Sequence, residues 1–101
     1  MIYGTTTYFI SKGSGAPEVI AITPSAGLWG DTVEIKGQGF SYRKEENQLL
    51  FGELEAEITY STDTNLQVLV PNHRTNETVK VTVATTGRWA ENYLHFTYEL
   101  P

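Results

Sequence analysis

From residue 17 onward the chain alternates apolar and polar residues with a period of two, interrupted roughly every 8–12 residues by Gly, Pro, Asn, Asp or Ser. Successive side chains of an extended backbone point to opposite faces, so each such segment reads as a half-buried strand. Val33 and Ile35 face inward on one strand, Leu49 and Phe51 on the next, and Ala56, Ile58 and Tyr60 on a third. Leu66, Val68 and Val70 follow, then Val79, Val81 and Val83, and finally Leu94, Phe96 and Tyr98. Before these, Val19, Ile20 and Ile22 form a first strand that stops at Pro24, because proline cannot donate to a ladder. The pattern predicts seven strands near 18–23, 32–37, 48–52, 55–60, 65–70, 78–84 and 92–98. Gly37 and Gly39 mark the end of the second strand, where a bulge or a positive φ suits a residue without Cβ. Arg43-Lys44-Glu45-Glu46 is too short to nucleate a helix and reads as a loop tip with at most one turn. The fold class is therefore all-β, an immunoglobulin-like β-sandwich of about seven antiparallel strands.

At 101 residues the chain has room for one domain. The run Thr5-Thr6-Thr7-Tyr8-Phe9-Ile10 reads as a short strand, and Lys12-Gly13-Ser14-Gly15-Ala16-Pro17 breaks it. Residues 1–16 are thus an N-terminal arm or leader: a docking strand, a linker from a preceding domain, or an appended segment; residues 17–101 are the domain. Met1 to Ile10 lacks the basic and apolar regions of a secretory signal. Seven Lys and Arg against twelve Asp and Glu leave a net charge of −5, the wrong sign for a phosphate-binding surface, so no nucleic acid is expected as partner. The absence of cysteine excludes disulfides, Cys-ligated metals and thiol catalysis. No uncharged apolar run is long enough to span a bilayer, so no membrane insertion is expected.

Candidate chemistry is sparse. His73 lies in a polar loop and His95 on an outward strand face, and neither has the spacing of a metal site or the neighbours of a catalytic triad. Gly37-Gln38-Gly39 follows a strand but lacks the third glycine and the helix of a dinucleotide loop. Glu53, Glu55 and Glu57 alternate and share one face of a strand, where they keep an edge solvated. Asn76-Glu77-Thr78 matches a glycosylation acceptor that occurs often by chance. No enzyme, cofactor or metal is indicated.

Recognition is better read from which loops share an end of the sandwich. In this topology the second-to-third, fourth-to-fifth and sixth-to-seventh connections meet at one pole. They carry Tyr42, Arg43, Lys44, Asp63, Arg88 and Trp89, and aromatic and arginine side chains are the types that dominate interfaces. The opposite pole carries Leu28, Trp29, Asn72, His73 and Arg74. Trp29 either plugs the base of the sandwich or contacts a partner; Trp89 is either buried under its own hairpin or free to stack on a partner or a sugar. Tyr42, Arg43, Arg88, Trp89 and Trp29 are the candidate partner-binding residues. A glycan site would draw on Trp89, Tyr93, Asn92 and Glu91, whereas outward Leu50 and Leu69 would form an apolar patch suited to protein.

Four blocks of the chain resemble the IPT/TIG domains, immunoglobulin-like folds of plexins, some transcription factors and many bacterial surface proteins. They are Pro17-x-Val19-x-x-Ile22-x-Pro24-x-x-Gly27-x-x-Gly30-x-x-Val33-x-Ile35-x-Gly37-x-x-Phe40; Asn47-x-Leu49-x-Phe51-Gly52 with Ala56-x-Ile58; Leu66-x-Val68-x-Val70-Pro71; and Val79-x-Val81-x-Val83 with Gly87, Ala90-x-Asn92 and Phe96-x-Tyr98. The resemblance covers Pro17 to Tyr98 and implies no catalytic residues. It implies a spacer, ligand-binding or dimerisation module, or in some relatives an accessory to DNA binding, which the charge here disfavours. The expected function is non-catalytic attachment or spacing through protein contacts, as a homo-oligomer or within a larger assembly. A carbohydrate-binding accessory domain is the alternative. Its home is a virion if the chain is whole, or a bacterial cell surface if it is part of a longer protein.

Overall fold

A computed structural model describes residues 16–72 and 76–100. Among the described residues ten strands form two sheets: β1 (Glu18–Thr23), β2 (Ala26–Gly27), β3 (Thr32–Gln38), β4 (Asn47–Phe51), β5 (Leu54–Glu55), β6 (Glu57–Ser61), β7 (Asn65–Leu69), β8 (Thr78–Thr85), β9 (Arg88–Trp89) and β10 (Leu94–Tyr98). The smaller sheet runs β1-β3-β7-β6 and the larger β2-β10-β8-β4-β5, with β9 added beside β8. The expected strands are present, the one at 55–60 divided into β5 and β6, and β2 and β9 are additional two-residue pieces. A 3-10 turn spans Lys44–Glu46, as the short charged run suggests. Among the described residues no helix is long and apolar enough to cross a membrane.

Between the sheets lies a core that includes Val19, Val33, Ile35, Leu49, Phe51, Leu66, Val68, Val81, Val83, Phe96 and Tyr98, each at most 1% exposed. Burying a side chain of this kind contributes roughly 1.5–3 kcal/mol. Phe96 packs edge-on against Phe51, with ring centroids 5.1 Å apart, and against Tyr98 at 5.7 Å. Gly37 is buried on β3 because a Cβ there would sit 2.1 Å from the Glu18 carbonyl oxygen; the β1–β3 approach requires glycine.

Four features depart from simple alternation. The pairing is not wholly antiparallel: after Pro24 the chain crosses to the other sheet, and β2 runs parallel to β10. The expected strand 55–60 is two strands, since β5 pairs with β4 in one sheet and β6 with β7 in the other, with buried Ala56 between them. Glu53, Glu55 and Glu57 therefore do not share a face: Glu53 precedes β5 and the other two lie on different sheets. A register shift in β6 between Ile58 and Tyr60 then reverses the parity, leaving Tyr60 53% exposed and Ser61 buried. Finally, a shift between Val19 and Ala21 turns Ile20 outward, 60% exposed, while Val19 is buried.

Candidate functional site

The loop joining β3 to β4 begins at Gly39, whose φ of +83° turns the chain, and is pinned by buried Phe40, whose N–H donates to the Asp63 carbonyl at 3.1 Å. Its anchor is Asn47, 8% exposed at the start of β4. The Asn47 Oδ1 accepts from the Ser41 N–H at 3.0 Å and the Thr85 hydroxyl at 2.8 Å, while Nδ2 donates to the Ser41 carbonyl and the Ser61 hydroxyl, both at 2.8 Å. Ser61 in turn donates to the Ser41 carbonyl. One amide with two donors and a two-lone-pair acceptor thus ties three strands and a loop together with its hydrogen-bonding capacity filled.

On this base the loop tip presents Tyr42 and Arg43. Tyr42 is 69% exposed, and its hydroxyl donates to Asp63 Oδ1 across the pole at 3.3 Å. The Asp63 carboxylate raises the Tyr42 hydroxyl above the ordinary tyrosine range, because a second negative charge beside it disfavours phenolate. Arg43 lies 3.7 Å from the Glu46 carboxylate on the 3-10 turn, and Glu46 also accepts from the Ser41 hydroxyl at 2.6 Å. The Thr86 N–H donates to the Glu46 carbonyl at 2.7 Å, which brings the β8–β9 turn to the same end. The pole expected from topology is real: loops 39–46, 62–64 and 86–87 meet there.

The five candidate residues do not form one cluster. Tyr42 and Arg43 share the loop tip, and Arg88, opposite Thr85 at the start of β9, lies at the same end. Trp89 is opposite Ala84 and therefore stands on the outer face of the larger sheet, 44% exposed and not buried under its hairpin. Trp29 lies at the far pole in a loop held by the Leu28 N–H on Asp31 Oδ2 and by Gly30 and Val70 backbone bonds, and it is 45% exposed. His73 and Arg74, expected beside it, are outside the described residues, as is the arm through residue 15.

Outer-face geometry corrects two further expectations and adds residues that alternation alone did not assemble. Leu50 is on β4 and Leu69 on β7, in opposite sheets, so they form no joint patch. The Asn92 side chain is engaged within the fold, where it accepts from the Val19 N–H at 3.3 Å and donates to the Val19 carbonyl at 2.6 Å. Around β8, register places Trp89 and Gln48 on either side of Ala84, Leu50 beside Thr82, and His95 beside Lys80. The Lys80 ammonium sits 4.6 Å above the Tyr93 ring, which meets His95 edge-on at 5.4 Å. Ala84, outward but flanked by Gln48 and Trp89, is only 2% exposed. Period two identified Lys80 and His95 as outward; only strand order sets them on one face with Trp89, with Lys80 over the Tyr93 ring. Among the described residues no cluster of His, Asp or Glu could hold a metal ion.

Sixty-six solved chains resemble this fold. A structural genomics protein of unknown function from Bacteroides thetaiotaomicron superposes with a TM-score of 0.75 at 21% identity, covering 82% of this chain and 22% of that one. The γ-CGTase of alkalophilic Bacillus clarkii gives 0.74 at 21% identity, over 82% of this chain and 12% of the enzyme. An auxiliary nutrient binding protein from Bacteroides ovatus gives 0.64 at 21% identity, over 82% and 21%. The chain spans a quarter or less of each of these proteins. No curated protein matches it by sequence. The blocks of Val, Gly, Pro and Phe that build the two sheets match the IPT/TIG domain model continuously from residue 17 to residue 98, and the chain belongs to that family.

Proposed function

We propose that this chain is a non-catalytic immunoglobulin-like module that attaches a larger assembly through protein contacts at the pole carrying Tyr42 and Arg43. IPT/TIG domains are generally non-catalytic and mediate protein interactions, which supports the class. The observation that carries the reading is a 69% exposed tyrosine beside an arginine on a loop fixed by a fully used buried amide. Interfaces gain most from aromatic and arginine side chains, and gain more when the loop is ordered before binding. Arg88 extends the surface, and Trp29 marks a second contact at the far pole through which modules stack. Residues 1–16 serve as the arm that leads into the domain. The likeness to a module of a nutrient binding protein several times longer supports a binding role within a longer surface or particle-borne protein.

The test is a photo-crosslinking amino acid at position 42, compared with one at Gln67 on the outer face of the smaller sheet, in the assembly as the cell makes it. The expected result is one dominant protein adduct from position 42, lost with Arg43→Ala. Equal yields from both positions, or none from position 42, would overturn the reading.

A further inference from the structure

We propose that the outer face of the larger sheet binds a carboxylate-bearing oligosaccharide, with the Trp89 indole stacking on sugar rings and Lys80, held in place by Tyr93 and His95, taking the carboxylate. This surface is separate from the loop pole.

The indole stands half exposed on β9, at one end of the outer face of the larger sheet, and a half-exposed ring there is a platform for the apolar side of a pyranose. Four residues away along β8, roughly 13 Å at strand rise, Lys80 projects from the same face. Its ammonium lies over Tyr93, and that ring is braced by His95, so the cation is positioned instead of swinging on its stem. Side by side with Lys80 stand His95 on β10 and Gly52, whose N–H bonds the Lys80 carbonyl; neither is acidic. In a chain of net charge −5, this is a local cationic spot with a nearby ring, complementary to an anion attached to a sugar. Glu55, the carboxylate the register puts on this face, lies beyond Leu50 on the far side of β4. Between the two anchors Thr82 offers a hydroxyl to sugar hydroxyls, and Gln48, across Ala84 from Trp89, offers an amide.

An acidic peptide fits this face less well. Added peptide strands draw their affinity from main-chain bonds at a free sheet edge, and β8 is paired with β4 on one side and with β10 and β9 on the other. A peptide laid along β8 would have side-chain contacts alone, and β9 offers an edge of only two residues, whereas a polyol carries its hydrogen-bonding groups around each ring. The anchor separation calls for an extended oligosaccharide, not a monosaccharide.

The experiment is calorimetric titration of the whole chain with an oligogalacturonate, with the same oligosaccharide after reduction of its carboxyl groups to alcohols, and with a polyglutamate peptide, while the Trp89 indole N–H is followed by NMR. The expected outcome is binding of the oligogalacturonate that shifts the Trp89 signal. It weakens about tenfold with Trp89→Ala, a change equivalent to about 1.4 kcal/mol, and about fivefold with Lys80→Gln, which also flattens the salt dependence. Gln67→Ala, on the other sheet, leaves it unchanged. Thermal midpoints confirm that each variant folds. No binding at millimolar oligogalacturonate, equal binding of the reduced form, equal or tighter binding of polyglutamate, or insensitivity to both variants would each overturn the proposal.

Discussion

Asn92 and Val19 are 73 residues apart, yet the Asn92 amide donates to the Val19 carbonyl and accepts from the Val19 N–H, just as a neighbouring strand would. Val19 sits at the register shift of β1, an edge strand of the smaller sheet, and Asn92 comes from the segment between β9 and β10 of the larger one. The side chain joins the two sheets and occupies backbone groups that an edge would otherwise offer to another chain.

Asn92→Ala is therefore expected to lower stability by about 1–2 kcal/mol, the net value of two modest hydrogen bonds. It should also raise hydrogen exchange at the Val19 amide. Chemical denaturation and exchange NMR together check this: a stability loss without faster exchange at Val19 would place the effect elsewhere.

Asn47→Ala should cost more, about 2–4 kcal/mol, because it strands the Thr85 hydroxyl and the Ser41 N–H in a buried setting. The Tyr42 loop should lose order with it. Denaturation gives the energy, and loss of the Tyr42–Asp63 bond should return the Tyr42 hydroxyl to its ordinary titration, read by ultraviolet absorbance.

Thr86 occupies a φ of +50° before Gly87 at +83°, a two-residue hairpin with both residues left-handed. A β-branched residue is strained there, and Asn is favoured. Thr86→Asn is expected to stabilise the domain by about 0.5–1 kcal/mol, measured as a rise in denaturation midpoint at unchanged slope.

Burial, and secondly the Glu77 carboxylate, hold the Tyr98 hydroxyl above the ordinary tyrosine range. Folded protein thus retains the proton more tightly than unfolded chain. That contribution is whole below about pH 10, where the unfolded phenol ionises, and is lost as pH rises through the higher folded value. Thermal midpoints should fall above that pH, and Tyr98→Phe should fall less steeply. Tyr42 is too exposed for its own raised value to produce the same loss.

Much of this protein was legible in its pattern. Alternation found the seven main strands and the inward Val33, Ile35, Leu66, Val68, Val81, Val83 and Phe96, because period two reports which side of its own strand a residue occupies. Pro24 and the glycines marked where strands stop, and the antibody-like order of connections put Tyr42, Arg43, Asp63 and Arg88 at one end. Tyr60 and Ile20 escaped because a single inserted residue reverses parity, and nothing in the local residues marks such an insertion.

Alternation carries no information on which sheet a strand joins. That assignment rests on hydrogen bonds between residues far apart in the chain, and it separated Leu50 from Leu69, divided Glu55 from Glu57 at Ala56, and set Trp89 on the same open face as Lys80. The amino-acid order alone determined a two-layered β domain of a recognisable kind. Tertiary pairing decided what its surfaces present, because a surface is assembled from neighbouring strands and their adjacency is settled only when the backbone groups find their partners.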